Sequence, residues 1–237
     1  MSNGLRGIGS SLEVLEMRNN SIGNEGLLAV VEALQTCTGL EILNLCSNDF
    51  SSAAAGLASL SDLLRRDEAN LKRLDLRHCR INDEGLQAFT QGAVIHCKRL
   101  DLRENESITT TGLSYLSNSI RSDSCRMETL HLQGIPIGND GMEVLALGLA
   151  DNKSVRNLYL GELDDDISVA SAGWLAFSRV VCDTSSVNST YLSNHTICKV
   201  WLVGEDGEII SQPQDVYLYL QLNEQHPQYV ARCKILM

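Results

Sequence analysis

Six glycines each precede a large apolar residue: Gly26-Leu27, Gly56-Leu57, Gly85-Leu86, Gly112-Leu113, Gly141-Met142 and Gly173-Trp174. They stand 30, 29, 27, 29 and 32 residues apart. Upstream of each pair lies an apolar hexamer: LEVLEM from Leu12, LEILNL from Leu40, LKRLDL from Leu71, CKRLDL from Cys97, METLHL from Met127 and VRNLYL from Val155. A fixed period is the signature of a repeat architecture. One unit of this size cannot bury its own apolar face, so successive copies must stack into an elongated body whose contacts run between neighbours.

Within a unit, the x-L-x-L alternation has a period of two and predicts a strand with its leucines pointing inward. A turn follows, with Asn20, Asn48, Cys79 and Asn105 at one common position. An asparagine there can bond backbone groups left unpaired where the chain leaves the strand. Stacked copies would align these asparagines in a ladder. Cys79 fits a narrow buried site, whereas Ile135 and Leu163 predict a ladder that weakens from the fifth copy onward. After the turn, Leu27, Val30, Val31 and Leu34 share one helical face, as do Met142, Leu145, Ala146 and Leu149. Asn24, Asp83 and Asp140 are placed to cap the starts of their helices. The sixth copy carries extra residues before Gly173, and a worn seventh copy is expected from Val187, with Thr190, Leu192, His195 and Ile197.

These hexamers and Gly-apolar pairs, held in one register, resemble the ribonuclease-inhibitor class of leucine-rich repeat proteins. The resemblance spans residues 12–180, or to 203 with the seventh copy. It implies an α/β solenoid, a horseshoe of six to seven repeats with parallel strands on the concave face and helices on the convex face. The class includes inhibitors, receptor sensor domains and activators of a small GTPase. A protein-binding scaffold is the expected function, with GTPase regulation and structural self-association as alternatives. The later stretches DTSSVNSTYLSNHT and YLQLNEQHPQYVARCKIL resemble the end region of algal leucine-rich repeat proteins.

The expected organisation is a remnant or uncapped end at 1–11, the repeat domain at 12–203, and a linker with a helical flank at 204–237. EDGEIISQPQD reads as the linker, with VYLYLQLNEQ and YVARCKILM as short helices. The apolar Ile235-Leu236-Met237 end and the thin N-terminal segment predict a piece of a longer protein, or a neighbouring chain over the open ends.

The chain has a net charge of -11, and acidic residues outnumber basic ones in both halves. A general phosphate-backbone binder is therefore not expected. No stretch approaches the ~20 apolar residues of a membrane helix, and the N-terminus lacks the apolar core of a signal peptide. Cys37, Cys46, Cys79, Cys97, Cys125, Cys182, Cys198 and Cys233 read as free thiols in a reducing compartment, so a cytoplasmic location is expected. Sequons occur at Asn19, Asn105, Asn152, Asn188 and Asn194; the repeat should bury Asn105.

The third and fifth positions of each hexamer, and the residue that follows it, point out of the concave face. In the third and fourth copies, the shared KRLDLR places Arg73, Asp75 and Arg77 beside Arg99, Asp101 and Arg103. Like charges opposite one another are unfavourable. A diagonal Arg-Asp network would relieve that and still leave two surplus positive charges. Two readings remain open: a self-neutralised solvated face, or a bidentate site for carboxylates of an acidic protein partner. In the second reading His131 and Tyr159 supply flat anchoring surfaces beside the arginines.

Catalysis, a cofactor and a metal centre are not expected. His78-Cys79 and His96-Cys97 juxtapose imidazole and thiol in sequence, but neighbouring strand residues face opposite ways. Glu162-Leu163-Asp164-Asp165-Asp166 is acidic but lacks the spacing and glycine of a calcium loop, and Gly7-Ile8-Gly9 is too short to mark a phosphate site.

Overall fold

The computed structural model describes residues 11–66, 71–91, 97–161, 172–203, 209–210 and 212–237. Seven short strands lie side by side in chain order: β1 (Val14–Glu16), β2 (Ile42–Asn44), β3 (Arg73–Asp75), β4 (Arg99–Asp101), β5 (Thr129–Leu132), β6 (Asn157–Leu160) and β7 (Lys199–Val203). All are parallel, and Leu15, Leu43, Leu74, Leu100, Leu130, Leu158 and Val200 form one row across the sheet. The helices between them are α1 (Asn24–Leu34), α2 (Ala54–Leu64), α3 (Asp83–Thr90), α4 (Thr110–Ile120), α5 (Gly138–Ala150) and α6 (Ala172–Val181). Each packs on the next. The result is the α/β solenoid, with strands on the concave side, helices on the convex side, and the inward leucines forming one continuous core.

The glycines of the Gly-apolar pairs serve two duties at the joint between repeats, and Gly56 and Gly173 serve both. A Cβ on Gly56 would stand 2.9 Å from a methyl of Leu27, one on Gly85 3.0 Å from Leu57, and one on Gly141 3.0 Å from Leu113. The large residue of one pair thus packs on the glycine of the next. The glycine N–H also donates backwards: Gly56 to Asn24 Oδ1 at 2.9 Å, Gly112 to Asp83 Oδ1 at 3.0 Å and Gly173 to Asn139 Oδ1 at 3.0 Å. This corrects the expected capping. Asn24 and Asp83 cap the helix of the following repeat, while α1 starts at Gly23 without a side-chain cap and α3 is capped by Asn82. Asp140 lies in the first turn of α5, whose start also has no side-chain cap. Between stacked helices, the glycine amide of the next unit is closer to these side chains than their own helix's first amides.

The asparagine ladder forms where expected. Asn105 is fully buried; its Oδ1 accepts from the amides of Cys79 and Ile81, and its Nδ2 donates to the carbonyls of Leu76 and Leu102. Asn48 makes the corresponding four bonds to Asn20, Ile22, Met17 and Leu45. Cys79 keeps one of them, a thiol bond to Leu45 O. In the fifth copy the position is apolar, filled by Ile135. Leu163 lies outside the described residues.

A second asparagine series takes over at the other end of the strands. Asn152 Nδ2 donates to Ile120 O while its Oδ1 accepts from Ser154 and Val155. Asn194 Nδ2 donates to the carbonyls of Leu149 and Asn152, and its Oδ1 accepts from Thr196 and Ile197. Asn223 continues the series with bonds to the carbonyls of Asn194 and Ile197. Three sequon asparagines, Asn105, Asn152 and Asn194, are therefore buried structural residues.

The seventh strand is not where the worn copy suggested. Val187–Leu192 is a short helix, α7, and the strand comes later, with Ile197, Val200 and Leu202 as its inward residues. Val187, Thr190 and Leu192 match the repeat spacing; Val187 and Leu192 are exposed on that helix, and Thr190 alone of the three is buried. After β7, β8 (Ile209–Ile210) pairs antiparallel to it within the stretch expected as a linker. Helices α8 (Gln214–Gln225) and α9 (Val230–Ile235) close this end. Val216 and Leu220 join the main core, and the ammonium of Lys234 donates to Val181 O, Asn194 O and His195 Nδ1. Residues 1–10, Gly7-Ile8-Gly9 among them, lie outside the described residues, as do His96, the 162–166 acidic run and residues 204–208 of the linker.

Candidate interaction face

Alternation along each strand sends the leucines into the core and the residues between them to the concave face. The row through the middle of that face reads Glu16, Asn44, Asp75, Asp101, His131, Tyr159 and Trp201. Three of its members accept from the backbone amide two residues on: Asn44 from Cys46, Asp75 from Arg77 and Asp101 from Arg103. This local bond holds the side chain against the strand. The flanking long side chains then close over it, and Asp75 and Asp101 are both 0% exposed.

The register brings Arg73 beside Arg99 and Asp75 beside Asp101, as the duplicated KRLDLR implies. The ion pairs, however, run mainly along each strand and not on the diagonal. Asp75 is held by Arg73 at 3.1 Å and by Arg77 at 2.9 Å. Asp101 is held by Arg103 at 2.8 Å, and Arg77 approaches it across the strands at 3.7 Å. A carboxylate and an arginine two residues apart on one strand share a face, and the guanidinium folds back over the shorter side chain. Burial pushes the Asp75 carboxyl upward, but the bonds from Arg77 and Arg73 outweigh it, and its pKa stays below the ordinary value. Asp75 in turn raises the pKa of Arg77, and Asp101 that of Arg103.

Arg99 is the exception. It makes no ion pair among the described residues, and its Nε is buried without a hydrogen-bond partner. Its strand neighbour is Thr129, and the next residue along the face is His131. The His131 ring stacks on Tyr159 with centroids 4.3 Å apart and planes 5° from parallel. Burial, and then the charge of Arg99, lower the His131 pKa to about 4, so the ring is neutral at pH 7. Neither of its nitrogens has a partner among the described residues that meets hydrogen-bond geometry.

The face therefore brings all eight sequence-predicted residues into one continuous strip. Three guanidinium groups pair with two buried carboxylates, Arg99 stands unpaired in the same strip, and an aromatic stack lies alongside. Trp201, which stands beside Tyr159 in the register and continues the row to β7, escaped the sequence reading because the seventh strand was placed too early. The segment Ile197-Cys198-Lys199-Val200-Trp201-Leu202 has the same hexamer spacing and could have revealed it.

The family model described as "Leucine Rich repeat" matches residues 10–31, 69–89 and 96–117, the first, third and fourth units of the stack. The chain has the leucine-rich repeat fold and is similar to proteins of the ribonuclease-inhibitor type. Among its curated relatives, mouse ribonuclease inhibitor is 26% identical over 191 residues, covering 78% of this chain and 40% of the relative. Mouse "NACHT, LRR and PYD domains-containing protein 14" is 29% identical over 157 residues, covering 65% of this chain and 15% of the relative. The human "NACHT, LRR and PYD domains-containing protein 5" is 28% identical over 150 residues, covering 63% and 12%. This leucine-rich repeat chain thus spans less than half the length of these relatives.

All eight cysteines are free, and Cys79 and Cys97 are fully buried, with burial pushing both thiols up to about 12. Such thiols are inert core groups. His78 is exposed in the left-handed turn beside Cys79 and faces away from it. Among the described residues, no three His, Cys, Asp or Glu side chains cluster as a metal site, and no helix is long and apolar enough to cross a membrane.

Proposed function

We propose that this chain is a scaffold that grips a protein partner, acidic where it docks, against the concave face of β3 to β6. Arg73, Asp75, Arg77, Arg99, Asp101, Arg103, His131 and Tyr159 form the contact strip, and the chain catalyses no reaction of its own. The unpaired Arg99 beside the His131–Tyr159 stack carries the reading. A guanidinium held in place without a carboxylate suits a bidentate acid from outside, and neighbouring aromatic surface is what interface anchors are made of. A relative named for inhibiting a ribonuclease supports binding to another protein. Eight free thiols favour a reducing compartment, and we place the chain in the cytoplasm.

Arg77 and Arg103 are poor targets for a test, because each neutralises a fully buried aspartate. Losing either would weaken the compensation of a buried charge, leaving Asp75 with Arg73 alone or Asp101 with the more distant Arg77, and would destabilise the strip itself. The combined Arg99→Glu and Tyr159→Ala variant leaves both pairs intact. It should lose a partner that the parent chain recovers from native extract, while Arg80→Glu, on an exposed turn, should keep it. An unchanged partner set with intact circular dichroism rejects the concave face as the docking site.

A further inference from the structure

Buried polar atoms are nearly always hydrogen-bonded, so those that are not call for a physical reason. Among the described residues, nine buried side-chain nitrogen and oxygen atoms have no partner. Six of the nine belong to concave-face positions of β3 to β7: Arg73 Nε, Arg99 Nε, both His131 nitrogens, Gln133 Oε1 and Trp201 Nε1. Five of these six are nitrogens. The arginine and indole nitrogens only donate, and neutral imidazole has one donor. With Gln133 Oε1 and the other imidazole nitrogen as acceptors, four donors stand against two acceptors, so the strip is short of acceptors. Its two carboxylates are already saturated by Arg73, Arg77 and Arg103.

Resting on the docking face proposed above, we infer that the occupant is an acidic peptide segment in which a carboxylate side chain is followed by a large apolar one at fixed spacing. The carboxylate sits on Arg99, and its oxygens replace the missing acceptors. The apolar side chain lies on the flat surface made by Tyr159 and Trp201, which stand side by side on β6 and β7. The spacing comes from the sheet. Arg99 and Tyr159 are two strands apart at ~4.8 Å per strand and two residues apart along the strand direction at ~3.3 Å each, which gives roughly 12 Å. An extended peptide spans that in about four residues. A long polyanion such as single-stranded nucleic acid could also use arginines with aromatic platforms. The chain's net charge of -11 and the two aspartates within the strip oppose an extended run of phosphates but leave a single local carboxylate welcome.

The experiment is selection from a phage-displayed random dodecapeptide library on the intact chain. Recovered peptides are then titrated while the emission of Trp201 is followed; Trp174, the other tryptophan, is buried between repeats. The expected result is enrichment of Asp or Glu about four residues from Phe, Leu, Ile or Trp, with saturable quenching of Trp201. Arg99→Gln and Tyr159→Ala should each weaken binding by about tenfold, and Arg80→Gln should leave it unchanged. Recovered peptides without an acid at that spacing, no recovered peptide, or equal quenching by a ten-residue oligothymidylate would overturn the inference. Its failure is separable from failure of the docking face. If Arg99→Glu with Tyr159→Ala still abolishes partner recovery, the face stands and only the acidic-apolar segment is wrong.

Discussion

Replacing Asn105 with alanine should be among the most damaging single changes available in the middle of the stack. Its side chain makes five hydrogen bonds, two accepted from the amides of Cys79 and Ile81 and three donated to the carbonyls of Leu76, Leu102 and Arg103. The residue is 0% exposed, so water cannot replace it without opening the turn. A buried polar group stranded in this way costs about 1–3 kcal/mol. The two amides alone then give roughly 4 kcal/mol, a large share of a typical domain's stability. Asn20 occupies the same motif position but is exposed, and its side chain donates one bond to Arg18 O. Asn20→Ala should cost about 0.5 kcal/mol, as surface changes usually do. Urea unfolding followed by circular dichroism measures both, and amide exchange adds a local readout, since Cys79 and Ile81 should lose protection only in Asn105→Ala. Comparable losses in the two variants, or a cost below about 1 kcal/mol at Asn105, would refute the ladder as the source of stability.

Gly148→Ala should cost about 2 kcal/mol by overpacking, because the new Cβ would lie 2.6 Å from the Ser117 carbonyl oxygen of the preceding helix; an unchanged melting temperature would show that α4 and α5 can move apart freely. His131 has its pKa lowered from 6.5 to about 4, so between those values the unfolded chain binds the extra proton. Stability should fall as pH drops through that window, by up to about 3 kcal/mol from this group, and His131→Phe, which keeps a stacking ring, should remove that part of the slope. Lys234 behaves in the same sense at alkaline pH: burial lowers its pKa to about 8, so between about 8 and 10.5 the unfolded chain holds more protons and the lysine's contribution rises with pH. The groups facing it are Cys182, Cys198, Tyr219 and His195, and the buried thiols favour the opposite trend. The test is therefore the difference between parent and Lys234→Met, which should move in favour of the parent by roughly 3 kcal/mol across that window; a constant difference would contradict a lowered lysine pKa.

The strip on the concave face was legible because strand periodicity assigns faces without knowledge of anything distant. Given the hexamer register, Arg73, Asp75, Arg99 and Asp101 had to share a surface, and Leu74 and Leu100 had to share the core. The pairing within the strip was not legible. Arg77 reaches Asp75 on its own strand at 2.9 Å and Asp101 next door at only 3.7 Å, a choice made by rotamers and by the backbone bond that pins each aspartate. Trp201 was missed for a different reason. Val187, Thr190 and Leu192 fit the repeat spacing, yet Asn194 bonds back to Leu149 and Asn152 and starts the last strand only afterwards. A polar residue identified in the sequence only as part of a sequon thus decided where the final repeat begins.

By itself, the sequence determined the solenoid. A period of about 29 residues, an alternating apolar hexamer and a glycine before each helix are local patterns, and each leaves one way to bury its leucines: against the next copy. Tertiary structure decided everything that depends on which neighbour is nearest. Asn24 and Asp83 cap the following helix and not their own, the asparagine series changes ends after Ile135, and Arg99 alone among the four concave arginines has no carboxylate among the described residues. The physical reason is the same in each case. Burial is encoded in the pattern of residue types, whereas hydrogen bonds and ion pairs form over about 3 Å and are settled only when the stacked units have fixed the distances between them.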